Sequence, residues 1–152
     1  RLRHEPDLIP ATVEELLRYE PPVQFLPNRT TLDEIPLAGT TIPKGVVVTL
    51  ALAAGNRDPV RFMDPDRFDP TRPDNEHLGF GSGIHSCFGA PLARVEGQIA
   101  FTELVRRLEQ PRLVVDPPPY RPGLVLRGPQ HLLIAVDGVR ESPQQLAPAL
   151  QR

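Results

Sequence analysis

The run from Phe80 to Arg94, FGSGIHSCFGAPLAR, constrains this chain more than any other, and it holds the only cysteine, Cys87. Gly81, Gly83 and Gly89 let the backbone adopt positive φ or pass close to another group. Pro91 suits the first turn of a helix, where its missing N–H costs nothing. The segment therefore predicts a tight loop that feeds directly into a helix. Such a loop sets the Cys87 sulfur beside unpaired N–H groups and the positive end of a helix dipole, conditions that favour thiolate over thiol.

A thiolate so placed can be a nucleophile, a redox thiol or a metal ligand. With no second cysteine, a disulfide, a CxxC redox pair, an iron–sulfur cluster and a cysteine-based zinc site are excluded. The glycines do not complete a dinucleotide loop either. Gly79-x-Gly81 is followed three residues on by Ile84, and Gly81-x-Gly83 by Ser86. A single axial thiolate on a flat cofactor remains, which is one way haem iron is held. A Cys87 nucleophile with His85 as its base is the competing reading. Two residues apart in a tight loop, those side chains are poorly placed for each other.

Phe80-x-x-Gly83-x-His85-x-Cys87-x-Gly89, followed by Leu92-Ala93-Arg94, resembles the haem-binding signature of the cytochrome P-450 monooxygenases. The resemblance implies a mainly α fold with small β-sheets, here the carboxy-terminal, loop-rich part of it. It makes Cys87 the axial ligand of haem iron, with Phe80, Gly81 and Gly89 shaping the loop around the cofactor. His85 and Arg29 are implied as partners of the haem propionates, since carboxylates entering an apolar interior must be paired and arginine offers a fixed fork for them.

Upstream, Thr12-x-x-Glu15 reads as a capping box opening a short amphipathic helix through Val13, Leu16 and Leu17. Glu15-Leu16-Leu17-Arg18 is similar to the family's ExxR element. Glu14 and Arg18, at i,i+4, form an equally good local pair. The resemblance adds a later arginine, and Arg72 in Phe68-Asp69-Pro70-Thr71-Arg72 fits that place, with Arg67 as its rival. Two arginines sharing the Glu15 carboxylate would lock the intervening loop to the helix by charge-assisted bonds. Asp58-Pro59, Asp64-Pro65 and Asp69-Pro70 mark turns and not a helix or strand. This run resembles the family's meander.

Ile35 to Gly39 and Ile42 to Gly45 read as short extended pieces, Val46 to Leu52 as a buried strand, and Leu113 to Val115 as another short strand. Leu124–Leu126 and His131–Val136 read as a hairpin around Arg127-Gly128-Pro129-Gln130. The helix from Pro91 to about Leu108 is the longest. Leu92, Val95 and Ile99 form one apolar stripe on it, and Ala100, Leu104 and Leu108 a second, so it expects partners on more than one side. Proline (20) and glycine (11) make about a fifth of the chain, below the roughly 25–30% that signals disorder.

A net charge of −2, with acids and bases interspersed, gives no basic stripe for nucleic acid, and no apolar run of membrane-spanning length occurs. One cysteine suits a reducing, cytoplasmic setting. The resemblance covers residues 1–136, and 137–152 read as a loose tail. It implies that an amino-terminal portion, with the distal oxygen-activating helix, is missing, so the chain alone is expected to be inactive. In the full-length form it implies insertion of one oxygen atom from dioxygen into a hydrophobic substrate. A ferredoxin or flavodoxin would supply electrons on the cysteine side, where Arg94, Arg106 and Arg107 offer positive charge. Val23, Phe25, Leu124 and Val125 are the implied substrate walls. The alternative is a non-catalytic remnant of the same ancestry, with weak or no haem binding.

Overall fold

The structure is a computed structural model and describes residues 1–141. A 3-10 turn, Pro6–Leu8, runs into helix α1, Ile9–Tyr19. Pro6 and Pro10 both lie in first turns, where proline preorganises φ and needs no hydrogen bond. Because the prolines start the helix early, Thr12 lies inside α1 and is not a cap. Its hydroxyl donates back to the Leu8 carbonyl at 2.7 Å, the usual outlet for a mid-helix threonine. The expected capping box is thus corrected, and Glu15 is released for other work.

Strands β1 (Leu26–Thr30) and β4 (Val47–Leu50) pair antiparallel, with an irregularity between Leu26 and Arg29. Between them, β2 (Ile35–Leu37) and β3 (Thr40–Ile42) make a hairpin. Its two-residue turn, Ala38–Gly39, has φ of 47° and 80°, the sense that matches strand twist. The expected buried strand at Val46–Leu52 is corrected: Val47 and Leu50 are exposed, and a one-turn helix α2 takes over from Leu52 to Gly55. Val48, Leu50 and Ala51 border an open cavity, and of the run only Leu52 is buried.

From Asn56 to Ser82 the chain is turns and bends, as the Asp-Pro pattern predicts. Asp58 and Asp69 accept the N–H groups of Val60 and Thr71 at 2.8 and 2.9 Å, the local turn chemistry that competes with helix. A 3-10 turn at Gly83–His85 precedes α3, Ala90–Arg107. Gly97 is where α3 approaches α1: a Cβ there would come within 3.2 Å of Val13 Cγ1. Four two-residue strands close the described part. Leu108–Glu109 (β5) pairs with Gly138–Val139 (β8), and Arg112–Leu113 (β6) with Ile134–Ala135 (β7).

Two expectations shift here. Leu124–Leu126 does not pair with residues 131–136. Tyr120 bridges Pro129, so Leu124 and Val125 occupy the hairpin tip, and Leu126 bridges Val23 instead. Residues 137–141, expected in the tail, are held by β8 and by the Arg112–Asp137 contact of 2.6 Å. The rest of the expected tail, 142–152, lies outside the described residues.

The buried apolar set among the described residues is small: Ile9, Val13, Leu52, Phe62 and Ala90. The largest wholly buried side chains are polar, namely Arg18, Glu15 and Asn56.

Candidate functional site

Glu15 and Arg18 lie one turn apart on α1, both with no exposed side-chain surface. Arg18 grips the carboxylate with two parallel bonds, Nε to Oε2 and Nη2 to Oε1, both 2.8 Å. Such a fork adds geometric specificity to charge. Its remaining donors are spent on backbone carbonyls of Asn56 (2.9 Å), Pro65 (2.8 Å) and Arg67 (3.2 Å). Glu15 also accepts the Asp69 N–H at 2.8 Å, and Arg72 Nε lies 3.5 Å from Glu15 Oε2, at ion-pair distance. Burial pushes the Glu15 carboxyl up. The Arg18 fork, the Asp69 N–H and the charges of Arg18 and Arg72 outweigh it and hold the group below its ordinary value. Arg67, the rival for the third place, points to solvent and meets Asp69 at 3.6 Å.

The cysteine loop hangs from this knot. Asn56 Oδ1 accepts the Leu78 N–H at 2.7 Å, while the Asn56 carbonyl receives Arg18. One buried amide thus links the two. Gly81 has φ 71°, a conformation that strains any residue with a Cβ. The turn it makes lets the Cys87 N–H reach back to the Phe80 carbonyl at 2.9 Å. Gly89, by contrast, has φ −79° as the N-terminal flank of α3, and a Cβ there would sit 3.7 Å from Cys87 Sγ. Its expected backbone freedom is not used.

A cavity of about 980 Å³ opens against this loop. Cys87, His85 and Arg29 all line it, together with Phe80, Gly81 and Val23. The rest of its wall is mainly aliphatic, from α1, β1, β4 and Leu78. Cys87 is exposed, so its sulfur is accessible from this space. Arg29 from β1 and two residues of the cysteine loop, expected to meet one cofactor, therefore border one hollow.

Of the four expected substrate-wall residues, Val23 lines the cavity, whereas Phe25, Leu124 and Val125 do not. The hairpin tip is nonetheless tied to the segment after α1. The Gln24 N–H donates to the Val125 carbonyl and the Arg127 N–H to the Pro22 carbonyl, both at 2.8 Å. Arg94, expected as docking charge, is instead bonded to Glu14 through Nε (2.7 Å) and Nη2 (2.9 Å). Glu14 hence does not pair with Arg18. Arg106 meets Glu103 at 2.9 Å, and Arg107 donates to the Arg140 carbonyl at 3.3 Å.

Comparison with known proteins decides the lineage. The cytochrome P-450 family model matches residues 3–135. The chain belongs to the cytochrome P-450 family. Cytochrome P-450 107B1 of Saccharopolyspora erythraea is 44% identical over 86% of this chain and 33% of its own length. The 6-deoxyerythronolide B hydroxylase of the same organism is 42% identical over 90% of this chain and 34% of its own. Among solved structures, P450BioI, captured with an acyl carrier protein ligated to hexadec-9Z-enoic acid, superposes with a TM-score of 0.85 at 44% identity. It is covered over 35% of its length, and this chain over 90%. The chain thus spans about a third of the relatives it matches. These structural neighbours bear out the expected α+β fold as a partial P-450 chain, and haem held by thiolate is the family's cofactor. Among the described residues no helix is long and apolar enough to cross a membrane.

The cavity fits that cofactor. It has the size of a pocket for a large flat ligand, apolar walls for the macrocycle, one sulfur for the iron, and two basic side chains on its lining for carboxylates. Sequence reasoning missed Asn56, Glu14 and His77. Asn56 could have been suspected from a lone amide between Gly55 and the first Asp-Pro turn. Glu14 and His77 carry no local signal, because their contact spans 63 positions.

Proposed function

We propose that these residues form the cysteine-bearing half of the haem pocket of a monooxygenase that inserts one oxygen atom from dioxygen into a C–H bond of a hydrophobic substrate. The second oxygen atom leaves as water, with two electrons from a ferredoxin or flavodoxin and two protons. Haem, when bound, supplies the dioxygen-reducing iron. In this reading Cys87 ligates the iron and lends it electron density, and Arg29 and His85 neutralise the propionates. Phe80 walls the cysteine side, while Gly81 sets the loop's turn. The Glu15, Arg18 and Arg72 cluster keeps the meander, and with it the loop, from drifting.

The carrying observation is that Cys87, His85 and Arg29 line one apolar cavity in a chain of this family. The compounds in the relatives' names, 6-deoxyerythronolide B and a carrier-ligated hexadec-9Z-enoic acid, support a bulky hydrophobic substrate near Val23, Phe25, Leu124 and Val125. A lone unpaired cysteine suits the reducing cytoplasm. The test is spectroscopic: the natural gene product carrying these residues is purified with haem, reduced and exposed to carbon monoxide. A red-shifted thiolate Soret band is expected, and Cys87→Ala abolishes it. Haem uptake with no such band in the unmodified protein would refute the assignment of Cys87.

A further inference from the structure

A second polar cluster lies beside the Glu15 knot and serves another loop. His77 has only 2% of its side chain exposed. Its Nδ1 accepts the Gly79 N–H at 3.0 Å, so that nitrogen carries a lone pair and the ring proton sits on Nε2. Nε2 lies 3.2 Å from Glu14 Oε2 and donates to it. Burial, the leading influence, holds the His77 imidazole below its ordinary value despite the neighbouring carboxylate, in keeping with this neutral tautomer. Glu14 receives the Arg94 fork at the same time, and the Arg94 guanidinium carbon stands 4.7 Å from the Phe80 ring centroid. Phe80 in turn holds the Cys87 N–H.

We infer that Glu14, His77 and Arg94 are positioning residues for the cysteine: a clasp from α1 through the loop to α3 that sets Phe80 and, through it, the backbone of Cys87. The inference rests on the haem–thiolate reading of Cys87. The bonds run in one direction. Glu14 fixes the imidazole, the imidazole fixes the Gly79 N–H, and Arg94 supports the Phe80 face whose carbonyl anchors Cys87. None of Glu14, His77 and Arg94 lines the cavity, whereas Gly79 and Phe80, which they hold, do. Its effect therefore falls on the thiolate's placement and not on substrate contacts.

The test uses the haem-loaded natural gene product. His77→Ala and Glu14→Gln are expected to keep haem content and helical circular dichroism. They should lose the thiolate-type carbon monoxide band roughly 10-fold faster than the unmodified protein, the scale of a lost outer-shell partner. His77→Asn, which keeps an acceptor near Nδ1, and His77→Gln, which keeps a donor near Nε2, should each restore part of that lifetime. Amide exchange across residues 79–87 should quicken in the same order. Ile9→Ala, which loosens α1 packing away from the clasp, serves as the stability control. Band lifetimes equal to the unmodified protein, or an equal shortening in Ile9→Ala, overturn the inference, as does faster exchange with an unchanged band. A thiolate band missing from the unmodified protein refutes the underlying haem reading instead.

Discussion

The inner side of α1 and the outer side of α3 treat side chains in opposite ways. At α1, Glu15 and Arg18 are wholly buried, as is Asn56 at the end of α2 beside them, and their hydrogen bonds reach across the meander. On α3, only Ala90 is buried, while Leu92, Val95 and Ile99 are each more than half exposed. Ordinary domains bury aliphatics and leave charge in water. Here charge that is fully paired holds irregular backbone in place, where turns offer few hydrogen bonds of their own. A loop-rich chain is thus fastened by directional bonds at the points where a side chain of any size would be too indifferent to geometry.

The strongest way to break that contrast is Glu15→Ala. It strands the Arg18 charge inside and should cost about 3–5 kcal/mol, the scale for removing one partner of a buried pair. Denaturant unfolding measures it, and a loss under about 1 kcal/mol would mean the knot carries no special weight. Acid should act next. His77 has a depressed folded value, so its contribution is complete above its ordinary 6.5 and is lost as pH falls through the lower folded value. Glu14 and Glu15, also depressed, add a further loss below 4.5. The groups facing His77 are Glu14 and Glu15 on α1 and Arg94 on α3. Midpoints measured from pH 8 down to about 2 should show two descending limbs, with His77→Gln removing only the upper one. The smallest effect is expected on the other side of the comparison. Ile99→Gln or Val95→Gln in this chain should change stability by no more than about 0.5 kcal/mol, and a drop of several would show that the stripe is covered.

Where local chemistry sets the structure, the residues could be read directly. Pro91 with Gly89 marked the start of α3 within a residue, and the Asp-Pro pairs marked the meander. The Phe80–Arg94 pattern pointed to the family and its cofactor before any coordinates. Where two influences competed, reading failed. Thr12 looked like a cap until Pro10 moved the start of α1, and Val46–Leu52 looked buried because a continuous apolar run does not distinguish a core from the wall of a hollow. Tertiary pairings were the least visible. Leu126 chose Val23 over its own hairpin neighbours, and Glu14 chose His77 and Arg94 over Arg18 on its own helix.

Glu14 and Glu15 are consecutive, and successive helical side chains diverge by about 100°. One carboxylate therefore steadies the cysteine loop while its neighbour steadies the meander, from a single rigid rod. Any roll of that rod about its long axis must shift both segments together. Their relative placement is accordingly set by the roughly 100° step between adjacent helical residues, while each contact stays open to change by mutation at its own side chain.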